Sequence, residues 1–215
     1  MNVALLFHPT RITAGHVNDA GYFRNNALAA AKLWTREYGL ECHVIPFDNG
    51  LVESKRRSAV ADACAPFAGR VAVLAFFCHG WTDGMQAGFT RGTIGAFTSI
   101  AKMVAVPGQL LRIPLYACST GSDRFGHDGD NSFADFARDH ISDAGVRVQL
   151  DVHTTPGDAT KNKHLRRLES PAGVGGALLV DASDHHVQEL LNSLWRFRFP
   201  FETREQIDAD IRAAA

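Results

Sequence analysis

Three things are scarce in this sequence, and each scarcity closes off a class of function. Net charge is almost absent: 22 Lys and Arg against 23 Asp and Glu leave a formal charge of -1, so no global field draws the chain toward phosphate backbones or anionic lipid. Neither nucleic acid nor a membrane is expected as a partner. Cysteine is sparse and scattered. Cys42, Cys64, Cys78 and Cys118 form no C-x-x-C pair, which argues against a zinc site or a disulfide framework and for four thiols. Long hydrophobic runs are missing as well. No segment approaches the ~20 apolar residues that cross a bilayer, and the opening "MNVALLFHPT" lacks the basic flank and cleavage site of a secretion signal. The expectation is a soluble, cytoplasmic protein.

Cofactor signatures are equally thin. The glycines of "PAGVGGALLV" precede an apolar run, whereas phosphate loops follow one. "DGDN" lacks the full spacing of a calcium loop. His185 and His186 are adjacent in a helical pattern and so face apart, which makes a metal pair there improbable. Neither a cofactor nor a metal is expected.

What the chain does contain is apolar residues, 46% of the total, enough for a substantial core in one domain spanning 1–215. The last helical segment, 201–215, reads as a further part of it or an appendage. Short runs rich in Val, Ile, Leu and Phe alternate with helix-patterned segments, the signature of a mostly parallel sheet covered on both faces. The expected strands are "NVALLFH", "CHVIPF", "VAVLAFF", "LLRIPLYAC", "VRVQLDVH" and "ALLVD". Between them lie helices at "NNALAAAKLWTREYG", "ESKRRSAVADACAPFAG", "GTIGAFTSIAKMVAV", "DNSFADFARDHISDAG" and "SDHHVQELLNSLWRF", with "ETREQIDADIRAAA" at the end. Lys55, Arg56 and Arg57 are expected on a solvated helix face. "HLRRLES" stays ambiguous, and with "DATKNK" before it forms a polar stretch whose Lys161, Lys163, Arg166 and Arg167 look exposed and open to nicking.

Two of the apolar runs end in reactive residues. "VAVLAFFCHG" delivers His79 and Gly80, and "LLRIPLYAC" delivers Cys118. Ligand sites of open α/β sheets form beyond the carboxyl ends of the strands. Neighbouring strands lie only about 5 Å apart, so both side chains could face one cleft. Thiol nucleophilic catalysis requires such a pair, since the imidazole favours the thiolate and then protonates the leaving amine. Gly80, lacking a Cβ, would let its N–H approach the substrate carbonyl and form an oxyanion hole with the N–H of Cys118. On strand alternation, Cys78 should point the other way, into packing.

The motifs "VLAFFCHG" and "IPLYACSTG" resemble those of the caspase-like cysteine peptidases, the caspase-hemoglobinase clan, whose apolar strands end in His-Gly and in Ala-Cys. The second motif is most similar to the Ala-Cys-x-Thr-Gly of the CHAT branch, found in separase-related bacterial peptidases. The resemblance covers Met1 to Asp151 in element order. It implies a three-layer α/β/α sandwich with about six strands, and a cysteine endopeptidase acting on protein or peptide substrates through a Cys118–His79 dyad. It also places Tyr116, two residues before the nucleophile, in the pocket for the substrate side chain preceding the cut. Tyr116 stands where relatives that cut after Arg or Lys often carry an acid. Asp123, close after Cys118, and Asp151, at the end of the fifth strand, are candidates for substrate binding. Asp123 would favour basic or uncharged residues over acidic ones before the cut. The competing readings are a catalytically silent caspase-like interaction module and a flavodoxin-like small-molecule-binding protein.

Overall fold

A computed structural model describes residues 2–122, 131–156, 165–170 and 197–214. Its centre is a six-stranded sheet. β1 (Val3–Pro9), β2 (Glu41–Phe47), β3 (Val71–Phe77), β7 (Leu111–Tyr116), β8 (Val148–His153) and β9 (Leu165–Glu169) lie in the order β2-β1-β3-β7-β8-β9. The first five are parallel and β9 runs antiparallel to β8. Every residue of β1 and β3 is buried. A central strand in a doubly covered sheet needs apolar side chains on both faces, which is why these two read as unbroken apolar runs rather than alternating ones.

The helices divide between the two faces. On one lies α1 (Asp19–Tyr38), whose buried Ala20, Phe23, Ala27, Ala30, Leu33 and Trp34 form a single stripe at helical spacing. That stripe packs on Ala4, Leu6, Ala75 and Phe77. Trp34 is fully buried, and its indole N–H donates to the carbonyl of Phe197 at 2.6 Å, so the ring is accommodated without an orphaned donor. On the other face, α2 (Glu53–Cys64), α3 (Ile94–Val104) and α4 (Phe133–Asp143) cover Leu5, Phe7, Leu74, Phe76 and Leu115. Together these layers make a three-layer α/β/α sandwich. Among the described residues, no helix is long and apolar enough to cross a membrane.

The boundaries follow local chemistry. α4 is capped by Ser132, whose hydroxyl accepts from the Asp135 N–H while the Asp135 carboxylate accepts from the Ser132 N–H, a reciprocal cap. Between β3 and α3 the chain makes a small three-stranded sheet, β4 (Gly80–Trp81), β5 (Gly84–Met85) and β6 (Phe89–Thr90). The apolar pattern does not announce it, because its strands have two residues each. Arg56 and Arg57 are not on a solvated face. They are half-buried and donate to the carbonyls of Gln86 and Gly88, tying α2 to this small sheet.

β9 corrects the expectation of an exposed Arg pair. Arg166 and Arg167 are both buried within it. Arg167 meets Asp151 at 2.8 Å and donates to the carbonyls of Phe199 and Glu202 at 2.6 Å each, while Arg166 lies 3.2 Å from Asp135. Buried guanidinium groups persist only when paired and hydrogen-bonded in this way. Those bonds, with Arg112 and Gln149 both donating to Pro200 O, hold 199–202 against the sheet ahead of α5 (Arg204–Ala214). The strand expected at 177–181, the helix after it through residue 196, and Lys161 and Lys163 lie outside the described residues.

Candidate active site

The sheet changes direction between β1 and β3: β2 is added on one side of β1, and everything later is added on the other. Loops leaving the carboxyl ends of β1 and β3 therefore diverge to opposite faces and leave a crevice between them. His79 leaves β3 at this crevice, and Cys118 leaves the neighbouring β7. β3 ends at Phe77 and β7 at Tyr116, and these two residues are paired in register across neighbouring parallel strands. His79 and Cys118 each follow two residues later, on adjoining ends of one rim. The Cys78 N–H still donates to Tyr116 O at 3.4 Å, so the pairing runs on toward them.

Alternation sets which way each side chain faces. The rings of Phe77 and Tyr116 stack 4.3 Å apart on the α1 face. Two residues further on, His79 returns to that side, where Phe23 of α1 meets it, while Cys78 falls on the opposite one; Cys118 lies in the turn that follows β7. Cys78 is 1% exposed within the core against α3, and burial pushes its thiol up to about 12. Cys64 is likewise raised to about 12 by burial, and the half-buried Cys42 is raised by the same cause. Cys118 is half-buried at the rim.

His79 is held from several directions. Its Nε2 lies 2.7 Å from Asp19 Oδ2. Phe23 of α1 meets the imidazole edge-on at 5.0 Å, and the His16 ring lies 4.4 Å away. Gln86 brackets its backbone, accepting from the His79 N–H at 3.3 Å and donating its own N–H to His79 O at 2.8 Å. The amide of the same side chain donates to the Thr13 hydroxyl at 2.9 Å, and the Thr13 N–H in turn donates to the Asp19 carboxylate. The loop after β1, the first turn of α1 and the small sheet are thus joined around one imidazole.

Asp19 is 7% exposed. Burial alone would raise its pKa, but hydrogen bonds from Thr13, His79 and the Ala20 N–H outweigh that and bring it from 3.8 to about 2. An ionised carboxylate only accepts, so His79 donates through Nε2–H and Nδ1 becomes the basic nitrogen. The apolar spacing in the sequence predicts a first helix from Asn25 and carries no sign of Asp19. The helix in fact starts six residues earlier, at Asp19. An acidic residue in a first turn is a recognised start signal, but nothing in the sequence says that it faces a histidine sixty residues away.

Gly80 sits against the other motif. A Cβ on it would lie 2.7 Å from Cys118 O, 2.8 Å from Ala117 Cβ and 2.8 Å from Thr120 Cγ2, so any side chain would push the two rims apart. The turn after Cys118 is tightly constrained. Ser119 adopts a left-handed backbone at φ 56°, unusual for a residue with a Cβ and typical of functional turns. Thr120 donates to Ala117 O at 3.1 Å and accepts from Ala134 N at 3.0 Å. Gly121 donates to His153 O at 2.9 Å, with no room for a Cβ, which would lie 2.4 Å from Val152.

The residues named for substrate binding fare differently. Tyr116 is 4% exposed and packed between Phe77 and Phe197. Asp151 is buried, bound by Arg167 and by Gln149 at 2.7 Å, with its pKa raised by burial despite those partners. Asp123 lies outside the described residues. A cleft of about 660 Å³ opens beside the site, lined by His8, Thr10, Asn18, Ala20, Arg24 and Val44 among others. Asn18 and Ala20 flank Asp19 in the chain, so this cleft adjoins the rim on the β2 side. Burial lowers the pKa of His8, whose Nδ1 lies 2.9 Å from Pro9 O. No protein-family model matches the chain, and no curated protein matches it by sequence.

Proposed function

We propose that the chain is a cysteine endopeptidase of caspase-like type, with Cys118 as nucleophile, His79 as general base and acid, and Asp19 as the residue that orients and polarises His79. The observation that carries this reading is the Asp19–His79 hydrogen bond at the rim that also bears Cys118. A buried carboxylate fixing one imidazole nitrogen leaves the other as the base, the arrangement that nucleophilic acyl transfer requires.

In the proposed reaction, Nδ1 of His79 takes the Cys118 proton and the thiolate attacks the scissile carbonyl carbon. The resulting oxyanion is received by the N–H groups of Gly80 and Cys118. The imidazolium then gives its proton to the leaving amine, and water hydrolyses the thioester with His79 again acting as base. Asp123 favours basic or uncharged residues before the cut. Asp151, already committed to Arg167, contributes to the fold.

The test is limited alkylation at neutral pH followed by peptide mapping, alongside a peptide-library screen. Cys118 should react first, with Cys64 and Cys78 last because burial disfavours their thiolates. Cys118→Ala should abolish hydrolysis and Cys78→Ser should preserve it. Equal labelling of all four thiols, or hydrolysis that survives Cys118→Ala, would favour the non-catalytic interaction module.

A further inference from the structure

His16, Asp19 and His79 bring one ligand atom each to within 4.8 Å of one another. His16 is exposed, on a turn closed by its own N–H donating to Thr13 O at 3.0 Å. Asp19 is fixed in the first turn of α1, and His79 is fixed by Gln86. Two imidazoles and a carboxylate are the donor set of three-ligand zinc sites, which keep a fourth position open. Donors at tetrahedral zinc stand about 3.3 Å apart. The Asp19–His79 pair is already closer than that at 2.7 Å, so the exposed His16 is the ligand that has to move in. Asp19 also has the support that metal-binding carboxylates have elsewhere, accepting from the N–H groups of Thr13 and Ala20.

We infer that His16, Asp19 and His79 form a binding site for a zinc-type divalent cation, and that occupancy holds the candidate active site off. The inhibitory part rests on the peptidase reading above; the binding part does not. Ligation through Nε2 leaves the ring proton on Nδ1, and ligation through Nδ1 occupies the base itself. Either way His79 can no longer accept the proton of Cys118. The donor set selects zinc and its late transition-metal neighbours over magnesium and calcium, which prefer all-oxygen shells.

The experiment titrates the metal-stripped full chain with zinc in competition with a chromophoric chelator, and in parallel measures Cys118 alkylation with and without zinc. The wild type should take up one zinc, and excess magnesium should not displace it. His16→Ala, at an exposed position that leaves the fold intact, should weaken uptake at least about tenfold, whereas Cys118→Ser should bind as the wild type does. Zinc should slow alkylation in the wild type and have much less effect in His16→Ala at the same concentration. Uptake unchanged by His16→Ala, or lost only in Cys118→Ser, overturns the assignment, the second outcome placing the metal on the thiol. Zinc uptake that leaves alkylation unaffected overturns the inhibitory role. Peptide hydrolysis by the metal-free protein is scored separately, so a failed peptidase reading is distinguishable from a failed metal site.

Discussion

Replacing Asp19 by Asn removes a charge while keeping the size and one acceptor oxygen, and the structure ties two separable effects to that charge. The first is on stability. The fold brings the Asp19 pKa from 3.8 to about 2, a preference for the carboxylate worth about 2 kcal/mol at neutral pH. Because the native value is the depressed one, this stabilisation is complete above about pH 4 and fades as the pH falls toward 2. Asp19→Asn should therefore lose about 2 kcal/mol in urea unfolding at neutral pH, with the two curves converging in acid. The second effect is on the imidazole. An Asn amide can donate to Nε2 and so place the ring proton on Nδ1, the wrong nitrogen for taking up the Cys118 proton. Hydrolysis and Cys118 alkylation should fall by about 10²- to 10⁴-fold. The assays are unfolding midpoints across the acid range and alkylation rates read by intact mass under conditions where both proteins are folded. A stability deficit that stays constant down to the most acid folded condition would refute the linkage argument. An unchanged alkylation rate would refute the orienting role of Asp19, whatever the stability curves do.

Three further outcomes follow from the geometry. Gly80→Ala should cost about 1–3 kcal/mol by overpacking and reduce Cys118 labelling, because its Cβ would meet Cys118 O and Ala117; thermal unfolding and mapped labelling check both. Arg167→Met should cost about 3–5 kcal/mol, since it leaves Asp151 charged and buried without its partner. That deficit should shrink as the pH falls, as protonation of Asp151 removes the stranded charge, so a pH-independent loss in denaturant melts would contradict the role given to the pair. Ser132→Ala should cost about 1 kcal/mol through the lost helix cap, seen as a lowered urea midpoint with no change in slope.

Much of the architecture was legible because parallel strands buried on both faces leave continuous apolar runs. β1, β3 and β7 were visible in that way, β8 showed instead as an alternating pattern, and Gly39 marked the end of α1. β9 was not. Its two arginines look like a solvated loop until Asp135 and Asp151, distant in sequence, are known to receive them. The small sheet at 80–90 was hidden for a different reason: two-residue strands carry no period. At the candidate site, the endings His79-Gly80 and Ala117-Cys118 stood out because reactive residues follow apolar runs, and strand pairing then brings such ends together.

By itself, the sequence determined the layered α/β class, the order of the parallel strands along the chain and the identity of the two strand-end residues, all properties of local pattern and residue chemistry. Only the tertiary structure decided what surrounds His79. Strand addition switches sides between β1 and β3, so these parallel neighbours end side by side at the crevice, and the loop after β1 sets Asp19, Thr13 and His16 around the imidazole. Contacts of that range depend on crossover connections and sheet order, which no window of sequence encodes locally.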